Sequence, residues 1–377
     1  MPCSQPAPCL FVSAGEVSGD IYAAGLLECL KQLRPHLRAY GLGGPMLQAA
    51  GLRLLADVRA LAAVGLSENL PGLPQFWQLK QRLTAWLRQI RPDAVVLVDF
   101  QGFNLQLAEV AKTLGIPVIY FIAPQDWLWG VKAGLARILA RVDLVLAVFR
   151  PEAAYYRTAG ARVVHVGHPL LDLLPSLSRE QARARLDPHQ NLDPDQPLIC
   201  WMPGSRKTEV RRLLPVMAEV HHHLPRDWNH LLPLAADYLD GPLLRALPVR
   251  RVDVSDRYEA MIAADLVIGA CGSMVLEAAL LGRPVLALYR VSALTFAVAR
   301  HVVKLPWISL PNLLLERSLV PEFVQSLPAP EIARQLHIEI RQAPKWALAA
   351  AELRGLLGPN GANVRAAQAI LEFLEHK

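Results

Sequence analysis

The residues that follow the apolar run 198–202 have the types that bind phosphate groups in proteins. The run itself has the length and composition of a buried parallel strand. Gly204, Ser205 and Arg206 then stand where a helix is expected to begin, so free backbone N–H groups and a guanidinium fork would meet at one point. We expect these three residues to bind an anion, although an ordinary strand-to-helix turn with a solvated arginine has the same pattern.

A second unit of this kind follows the apolar run 266–270, which also predicts a strand. Gly272 and Ser273 come next, at the expected start of a helix, and Glu277 falls one turn into that helix. A carboxylate near a helix N-terminus can accept hydrogen bonds from a ribose diol, or it can simply complement the helix dipole. Both alternatives remain open for Glu277.

In the first half of the chain, residues 9–13 predict a strand and residues 14–20 the loop after it. The two glycines of this loop indicate that something approaches the backbone there. The loop lacks the GxGxxG pattern of a dinucleotide site. Glu16 is either a cap for the following helix or a ligand contact, and composition favours the cap; Ser18 and Asp20 are the other polar residues of the loop.

Asp99 follows another predicted buried strand, residues 93–98. Open α/β sheets place their ligands at the carboxyl ends of parallel strands. Asp99 is therefore a candidate catalytic carboxylate, and Asn104, five residues later, is a candidate substrate contact.

Residues 74–88 predict a helix that has a wide apolar face. The face includes Phe76 and Trp77, while Lys80 and Arg82 are among the basic residues of the second half. A helix that packs against the core would have this pattern. The alternative is an interfacial helix that inserts its aromatic residues into lipid and places basic residues over anionic headgroups.

Composition limits the class of protein. A chain of 377 residues predicts two domains, and 53% hydrophobic residues predict large cores. We find no apolar run long enough to span a membrane and no signal peptide, so we expect a cytoplasmic protein.

Neither the cysteines nor the histidines have the spacing of a metal site. The five cysteines are scattered without CxxC spacing, and the three consecutive histidines 221–223 point in different directions on a helix. We therefore expect no structural zinc or other metal. The net charge of +6 suits an anionic partner, but dispersed basic residues argue against nucleic acid.

Each of the Gly-rich turns is expected to open on the same edge of a parallel sheet. The fold class is therefore α/β, with two Rossmann-like domains facing across a cleft, as in glycosyltransferases of the B type. We expect Arg206, Ser273 and Glu277 on one wall and Glu16, Ser18 and Asp99 on the other. Because no DxD motif suggests a metal, the charge of a leaving diphosphate would be met by Arg206 and by helix N-termini.

Several motifs together resemble those of the lipid-A-disaccharide synthase family. They are GEVSGD, VGHPLLD, MPGSRKTEV, CGSMVLEAALLG and a long segment that contains SLPNLL. The similarity extends in register from Val12 to about Gln325. The resemblance implies transfer of 2,3-diacylglucosamine from a UDP donor to the 6-hydroxyl of 2,3-diacylglucosamine 1-phosphate. It implies an inverting reaction, a β-1,6 product and no metal or other cofactor, at the inner face of the inner membrane.

The same resemblance assigns roles to the donor-side residues. Gly204, Ser205 and Arg206 would hold the diphosphate. Gly272, Ser273 and Glu277 would hold uridine, ribose or phosphate, and Asn312 of the SLPNLL segment would support the donor. The usual Ser-Gly-Thr of this region is Cys-Gly-Ser here.

On the acceptor side, Asp99 matches a family carboxylate and would be the general base. Glu16 is the second candidate base, while Ser18 and Asp20 would shape its loop. Two family residues are changed on this side: an acidic residue is replaced by Gly102 and a basic residue by Gly130.

We expect residues 1–170 to form the acceptor and membrane-facing domain and residues 171–345 the UDP-sugar donor domain. Residues 346–377 are expected to be a helical tail that packs back on the first domain. A homodimer is a candidate assembly. The alternatives to the lipid A enzyme are a diverged UDP-sugar transferase or 2-epimerase of the same fold, and a non-catalytic UDP-sugar-binding homologue.

Overall fold

The computed structural model describes residues 7–57, 74–129, 132–190, 192–234, 247–293, 295–297 and 305–376. The chain divides into two compact units. The first consists of Met1–Leu173 together with Leu357–Lys377, and the second of Leu174–Leu356.

The described strands of the first unit form one parallel sheet in the order β3-β2-β1-β4-β5-β6-β7. They are β1 (Cys9–Ala14), β2 (Arg38–Gly43), β3 (Arg53–Asp57), β4 (Ala94–Val98), β5 (Val118–Phe121), β6 (Leu144–Ala147) and β7 (Val163–His165). The central strands β1, β4, β5 and β6 are buried along their whole length, as expected when helices cover both faces of a parallel sheet.

Helices connect these strands. They are α1 (Val17–Leu33), α2 (Pro45–Ala49), α3 (Pro74–Ile90), α4 (Gln101–Thr113), α5 (Asp126–Trp129), α6 (Lys132–Arg141), α7 (Arg150–Thr158) and α8 (Leu170–Leu173). On one face of the sheet, α3 and α4 bury apolar side chains in a core that includes Phe11, Leu97 and Phe103.

The second unit begins with α9 (Arg179–Gln190) and repeats the same design around a parallel sheet of order β10-β9-β8-β11-β12-β13. Its strands are β8 (Leu198–Met202), β9 (Asn229–Pro233), β10 (Arg250–Val252), β11 (Leu266–Ala270), β12 (Val285–Tyr289) and β13 (Glu322–Val324). Its other described helices are α10 (Lys207–His222), α11 (Arg257–Ala263), α12 (Ser273–Leu280), α13 (Leu310–Leu315), α14 (Ala329–Ile340) and α15 (Ala343–Leu357).

In each unit the chain adds strands first on one side of its first strand and then on the other side, so the strand order has one switch point. The switch point lies between β1 and β4 in the first sheet and between β8 and β11 in the second. Such a switch point opens a crevice at the carboxyl ends of the two central strands, where Rossmann-like sheets bind their ligands. The predicted α/β class with two Rossmann-like domains is confirmed.

The last helix, α16 (Ala362–Glu375), belongs to the first unit and packs on α1. Asp172 fixes its start by accepting hydrogen bonds from the backbone N–H groups of Gly361 (2.5 Å) and Asn363 (3.1 Å). The predicted tail of residues 346–377 is divided, because most of α15 belongs to the second unit. There Trp346 is fully buried and donates a hydrogen bond to Glu339.

Candidate active site

Two predicted carboxylates follow the two central strands of the first sheet. Ala14, the last residue of β1, pairs with Val98, the last residue of β4. Glu16 comes two residues after β1, and Asp99 comes directly after β4. Both candidate bases therefore lie at the crevice of the first sheet, as the sequence predicted from strand ends alone.

The backbone at Asp99 is strained. Asp99 has a φ of 51° and Phe100 a φ of 52°, so two consecutive residues with side chains adopt the left-handed region. Each such residue costs on the order of 1–3 kcal/mol and persists only where its surroundings hold it. Here the side-chain amide of Asn104 donates to the Asp99 carbonyl oxygen at 2.7 Å, and the Tyr120 hydroxyl donates to the same oxygen at 2.8 Å.

Asn104 makes its hydrogen bonds to the protein itself, and the predicted substrate contact stays a prediction. Its side chain is fully buried, and its amide nitrogen also lies 3.2 Å from the carbonyl oxygens of Ser13 and Val98. Its amide oxygen accepts a hydrogen bond from the Ser13 hydroxyl at 2.7 Å. The helix α4 begins at Gln101, so Asn104 lies in its first turn, from where it ties the ends of β1 and β4 together.

The turn after β1 requires a glycine because the Phe100 ring lies against it. A Cβ atom on Gly15 would stand only 1.9 Å from the ring. Glu16 then takes the N-cap position of α1 with extended backbone, but its side chain makes no capping hydrogen bond. The capping alternative that composition favoured for Glu16 is therefore wrong, and the ligand-contact alternative remains.

Helix α1 begins at Val17, so Ser18 and Asp20 lie in its first turn and not in the predicted loop. Ser18 is half-buried. Asp20 is buried, and its carboxylate accepts hydrogen bonds from the backbone N–H groups of Gly44 (2.6 Å), Met46 (3.0 Å) and Leu47 (3.1 Å). Asp20 thus holds the start of α2, and a substrate contact by this residue, which the resemblance implied, stays a prediction.

Two helix N-termini lie at the crevice of the second sheet. Strands β8 and β11 are neighbours, with Met202 opposite Gly269. Arg206 is the N-cap residue of α10 after β8, and Gly272 is the N-cap residue of α12 after β11. The free N–H groups and the positive ends of two helix dipoles therefore occur at neighbouring strand ends, an arrangement suited to a diphosphate.

Gly204 cannot be replaced without moving its surroundings. Its φ is 121°, and a Cβ atom would lie 2.6 Å from a carboxylate oxygen of Glu209. That carboxylate in turn accepts a hydrogen bond from the Arg206 backbone N–H at 3.4 Å and lies 3.7 Å from the Arg206 guanidinium. Ser205 is exposed, and the Arg206 side chain retains 35% of its accessible surface.

Gly272 differs from Gly204 in a way that matters for ligand binding. Its backbone is extended, with a φ of −166°, which any residue adopts. A Cβ atom there would meet no other described atom within 4 Å. Backbone strain does not require a glycine at this exposed position, and neither does packing against the described residues. A ligand that approaches the backbone closely would require one.

Glu277 is buried among groups that the sequence did not reveal. Arg257 places its Nε atom 3.9 Å from a Glu277 oxygen and its guanidinium 4.3 Å from the centre of the Tyr258 ring. Burial raises the pKa of Glu277, while Arg257, Ser273 and Tyr258 oppose that rise. Burial, and then the Glu277 charge, raise the pKa of Tyr258 to about 12.

Asn312 lies in α13 and is fully buried. Its amide oxygen accepts hydrogen bonds from the backbone N–H groups of Leu319 and Val320 at 2.8 Å, and its amide nitrogen donates to Glu322 at 2.8 Å. Asn312 therefore organises residues 312–322, and its support of the donor stays a prediction.

The histidine segment 221–223 is partly packed against β9. His222 and His223 are exposed, but the His221 ring meets the His230 ring edge-on with the centres 4.5 Å apart, and the Trp201 indole donates to His230 at 3.2 Å. Burial lowers the pKa of His230 to about 3. Among the described residues, no group of three His, Cys, Asp or Glu side chains is arranged to hold a metal ion.

Helix α3 packs its apolar face on the first core. Phe76 is buried and meets Phe103 edge-on at 5.2 Å, so the interfacial alternative is wrong for Phe76. Trp77 is 51% exposed, with the Lys80 ammonium 5.2 Å from its ring centre. Gly130, where the family has a basic residue, lies outside the described residues. No helix in the described ranges is long and apolar enough to cross a bilayer.

Comparison with known proteins agrees with this geometry. The family model described as lipid-A-disaccharide synthetase matches residues 10–347. The lipid-A-disaccharide synthase of Myxococcus xanthus is 37% identical over 97% of this chain and 98% of its own length. That of Synechocystis is 38% identical over 97% of both chains.

A solved structure shares the fold at much lower identity. The UDP-GlcNAc 2-epimerase of Neisseria meningitidis aligns with a TM-score of 0.59 at 15% identity, over 98% of this chain and 100% of its own. Together, the family match and the two full-length relatives show that the chain belongs to the lipid-A-disaccharide synthase family.

Proposed function

We propose that this protein is a lipid-A-disaccharide synthase. It transfers 2,3-diacylglucosamine from UDP to the 6-hydroxyl of 2,3-diacylglucosamine 1-phosphate, with inversion, to form the β-1,6-linked disaccharide precursor of lipid A. The family match over nearly the whole chain is the observation on which this proposal rests. The crevices of the two sheets support it, because one has candidate bases and the other has anion-binding helix ends.

The second unit binds the UDP donor in this proposal. Gly204, Ser205 and Arg206 hold the diphosphate, and Gly272 and Ser273 contact it from the neighbouring helix end. As the bond between the anomeric carbon and the phosphate oxygen breaks, UDP leaves with the electron pair. The Arg206 guanidinium and the two helix N-termini stabilise the charge that develops on the diphosphate, so the reaction needs no cofactor.

The first unit binds the lipid phosphate acceptor and supplies the base. Asp99 takes the proton of the 6-hydroxyl while that oxygen forms its bond to the anomeric carbon, from the face opposite UDP. The strained backbone at Asp99 supports this role, since residues in such conformations cluster at functional sites. Glu16 is the second candidate, and Ser18 lies in the helix turn that follows it.

Both substrates carry acyl chains, so we propose that the protein works at the inner face of the inner membrane as a peripheral protein. Exposed Trp77 on α3, followed by the basic residues Lys80, Arg82 and Arg88, supports contact with an anionic lipid surface. A homodimer remains a prediction.

The test is turnover of UDP-2,3-diacylglucosamine and 2,3-diacylglucosamine 1-phosphate in mixed micelles, with the disaccharide identified by mass spectrometry and its linkage by NMR. We expect product from the wild type and a kcat about 100- to 10,000-fold lower for Asp99→Asn, since a general base contributes about that much. Glu16→Gln tests the second candidate. Glu28→Gln, an exposed carboxylate on α1, is the matched control and should stay within about twofold.

Three results contradict parts of this proposal. If Asp99→Asn kept full activity and Glu16→Gln lost activity, Glu16 and not Asp99 would be the general base. Interconversion of UDP-sugars without acceptor would indicate an epimerase. Saturable UDP binding with no turnover in any condition would indicate a binding homologue.

A further inference from the structure

We propose that Gln125 binds the 4-hydroxyl of the acceptor sugar and so places the neighbouring 6-hydroxyl at the candidate base Asp99. Gln125 ends the loop between β5 and α5, residues 122–125, which is called the β5–α5 loop below. This role rests on the proposed function, because it takes 2,3-diacylglucosamine 1-phosphate as the ligand of the first unit.

The β5–α5 loop begins with a strained residue. Ile122 is buried and has a φ of 57°, a conformation that its branched side chain makes unfavourable. Asp99 and Phe100, which follow the neighbouring strand β4, also have positive φ values. Residues in such conformations cluster at functional sites. The ends of two neighbouring strands therefore share a feature that is typical of a functional site.

The β5–α5 loop starts beside Asp99. Val98 and Phe121, the last residues of β4 and β5, are paired, and the Asp99 backbone N–H donates to the Phe121 carbonyl oxygen at 3.3 Å. The Tyr120 hydroxyl on β5 donates to the Asp99 carbonyl oxygen at 2.8 Å. Gln125 therefore follows the strand end to which the backbone of the candidate base is hydrogen-bonded.

Helix α7 holds the β5–α5 loop in place. The fully buried Tyr156 of this helix donates its hydroxyl to the Pro124 carbonyl oxygen at 2.7 Å. Trp127, two residues after Gln125, packs on Phe149, the N-cap residue of α7, with the ring centres 5.8 Å apart. The residues on both sides of Gln125 are thus fixed before any ligand binds, which lowers the entropy cost of binding.

The side chain of Gln125 has the chemistry to bind a hydroxyl. It is half-buried, and no residue in the described part of the chain hydrogen-bonds to its amide. An uncharged amide can both donate and accept hydrogen bonds, as a sugar hydroxyl can. A phosphate binds charged donors more strongly, so the amide suits a hydroxyl better than a phosphate.

The structure of the acceptor selects the 4-hydroxyl. Positions 1, 2 and 3 of its sugar ring are substituted, so only the hydroxyls on C4 and C6 are free. Asp99 takes the proton of the 6-hydroxyl in the proposed reaction. Since C4 is bonded to the ring carbon that carries C6, a contact at the 4-hydroxyl orients the 6-hydroxyl for reaction.

The experiment compares the acceptor with its 4-deoxy analogue in steady-state turnover, at a saturating concentration of the UDP donor in mixed micelles. The analogue lacks one hydrogen bond, so we expect the wild type to have an about three- to tenfold lower kcat/KM with it. Gln125→Ala should lose about the same factor with the normal acceptor and should use the two acceptors equally. Tyr156→Phe, which frees the Pro124 carbonyl, should show an intermediate preference.

Gln106→Ala is the matched control. Gln106 is another half-buried glutamine of the first unit, on α4, and its amide oxygen accepts a hydrogen bond from the Lys80 ammonium at 3.3 Å. This variant should keep the wild-type preference for the acceptor that has a 4-hydroxyl. All three variants should bind UDP within about twofold of the wild type by calorimetry, because the proposed donor site lies in the second unit.

The preference between the two acceptors decides the outcome. If Gln125→Ala kept the wild-type preference, Gln125 would not bind the 4-hydroxyl, while the proposed function would stand. Equal use of the two acceptors by the wild type would overturn the role of Gln125 in the same way. A wild type that turned over neither acceptor would overturn the proposed function and the role of Gln125 together.

Discussion

The side-chain amide of Asn104 lies 2.7 Å from the backbone carbonyl oxygen of Asp99, across the first turn of α4. Through this contact a buried residue holds the backbone of the candidate base. The same amide also reaches the carbonyl oxygens of Ser13 and Val98. The backbone conformation at Asp99 therefore depends on how the ends of β1 and β4 are joined.

Replacing Asn104 should lower catalysis without weakening donor binding. In Asn104→Ala the strained backbone at Asp99 loses one of its hydrogen-bond donors, so we expect kcat to fall about tenfold or more. The KM for the UDP donor should stay within about twofold, because the donor site lies in the other unit. Steady-state kinetics with each substrate varied would check this.

Ser13→Ala is the matched control for that variant. It removes only the hydrogen bond to the Asn104 amide oxygen, and we expect a loss of about 1 kcal/mol in stability with a small change in kcat. A normal kcat in Asn104→Ala, in a folded protein, would contradict the positioning role.

Alanine at the two candidate phosphate-binding glycines should affect two different properties, UDP binding at Gly272 and thermal stability at Gly204. Gly272→Ala should leave the melting temperature within about 1 °C of wild type, because the new Cβ atom meets no described atom within 4 Å. It should nevertheless weaken UDP binding about tenfold, since the methyl group would occupy the ligand's approach. Thermal unfolding and calorimetric UDP titration of the same preparation test both parts.

Gly204→Ala should lower the melting temperature, because both its φ of 121° and the Glu209 carboxylate 2.6 Å away oppose a side chain. If Gly272→Ala bound UDP as the wild type does, the diphosphate would not contact that helix end.

The buried carboxyl of Glu152 should make stability fall as the pH rises from about 4.5 to about 8. Its Oε2 atom accepts hydrogen bonds from the backbone N–H groups of Val148 (2.7 Å) and Phe149 (3.0 Å), yet burial raises its pKa from 4.5 to about 8. Between these values the folded protein keeps a proton that the unfolded chain has released. Stability from this group is therefore full below about pH 4.5 and is lost as the pH rises through 8, at up to about 1.4 kcal/mol per unit.

Glu152→Gln retains an acceptor oxygen and removes the titration. Relative to wild type, the variant should be more stable at pH 8 than it is at pH 5, as measured by urea midpoints across that range. If the urea midpoints of the two proteins changed with pH in parallel, Glu152 would not hold a proton in the folded state.

Trp77 should contribute to membrane contact, whereas its neighbour Phe76 should not. Trp77→Ser should reduce co-sedimentation with vesicles of phosphatidylethanolamine and phosphatidylglycerol without a change in melting temperature, because the ring is 51% exposed. Phe76→Ser should destabilise the first unit by about 3–5 kcal/mol, since its ring is buried against Phe103. Unchanged vesicle binding by Trp77→Ser would remove α3 from the membrane contact.

The parallel strands and the glycine turns were predictable because local sequence determines them. Apolar runs such as residues 198–202 and 266–270 are buried central strands, and their Gly-containing turns do begin helices. Glycine at 204 reflects a positive φ that its immediate neighbours impose.

The roles of Asp20, Asn104 and Asn312 were not predictable in this way. Each is a polar residue in a promising motif, but its side chain satisfies backbone groups of another segment. Only the tertiary structure shows which segment lies beside it. For the same reason the sequence did not indicate Arg257 and Tyr258 as neighbours of Glu277, which is on a different helix.

Pro215 is a residue whose local preference the fold overrides, because it lies inside α10 and beyond its first turn. A proline costs about 3 kcal/mol or more in a helix interior. Val210, Leu213 and Leu214 of the same helix are buried in the second core, and such burial stabilises the helix.

The return of α16 to α1 has a consequence for synthesis on the ribosome. The strands of the first unit are translated first, but the surface of α1 that includes Gly25, against which Asn363 packs, stays uncovered until α16 emerges. The second unit, whose residues are contiguous from Leu174 to Leu356, can fold in the meantime. A nascent chain stalled before α16 would therefore display a folded second unit beside an incomplete first one.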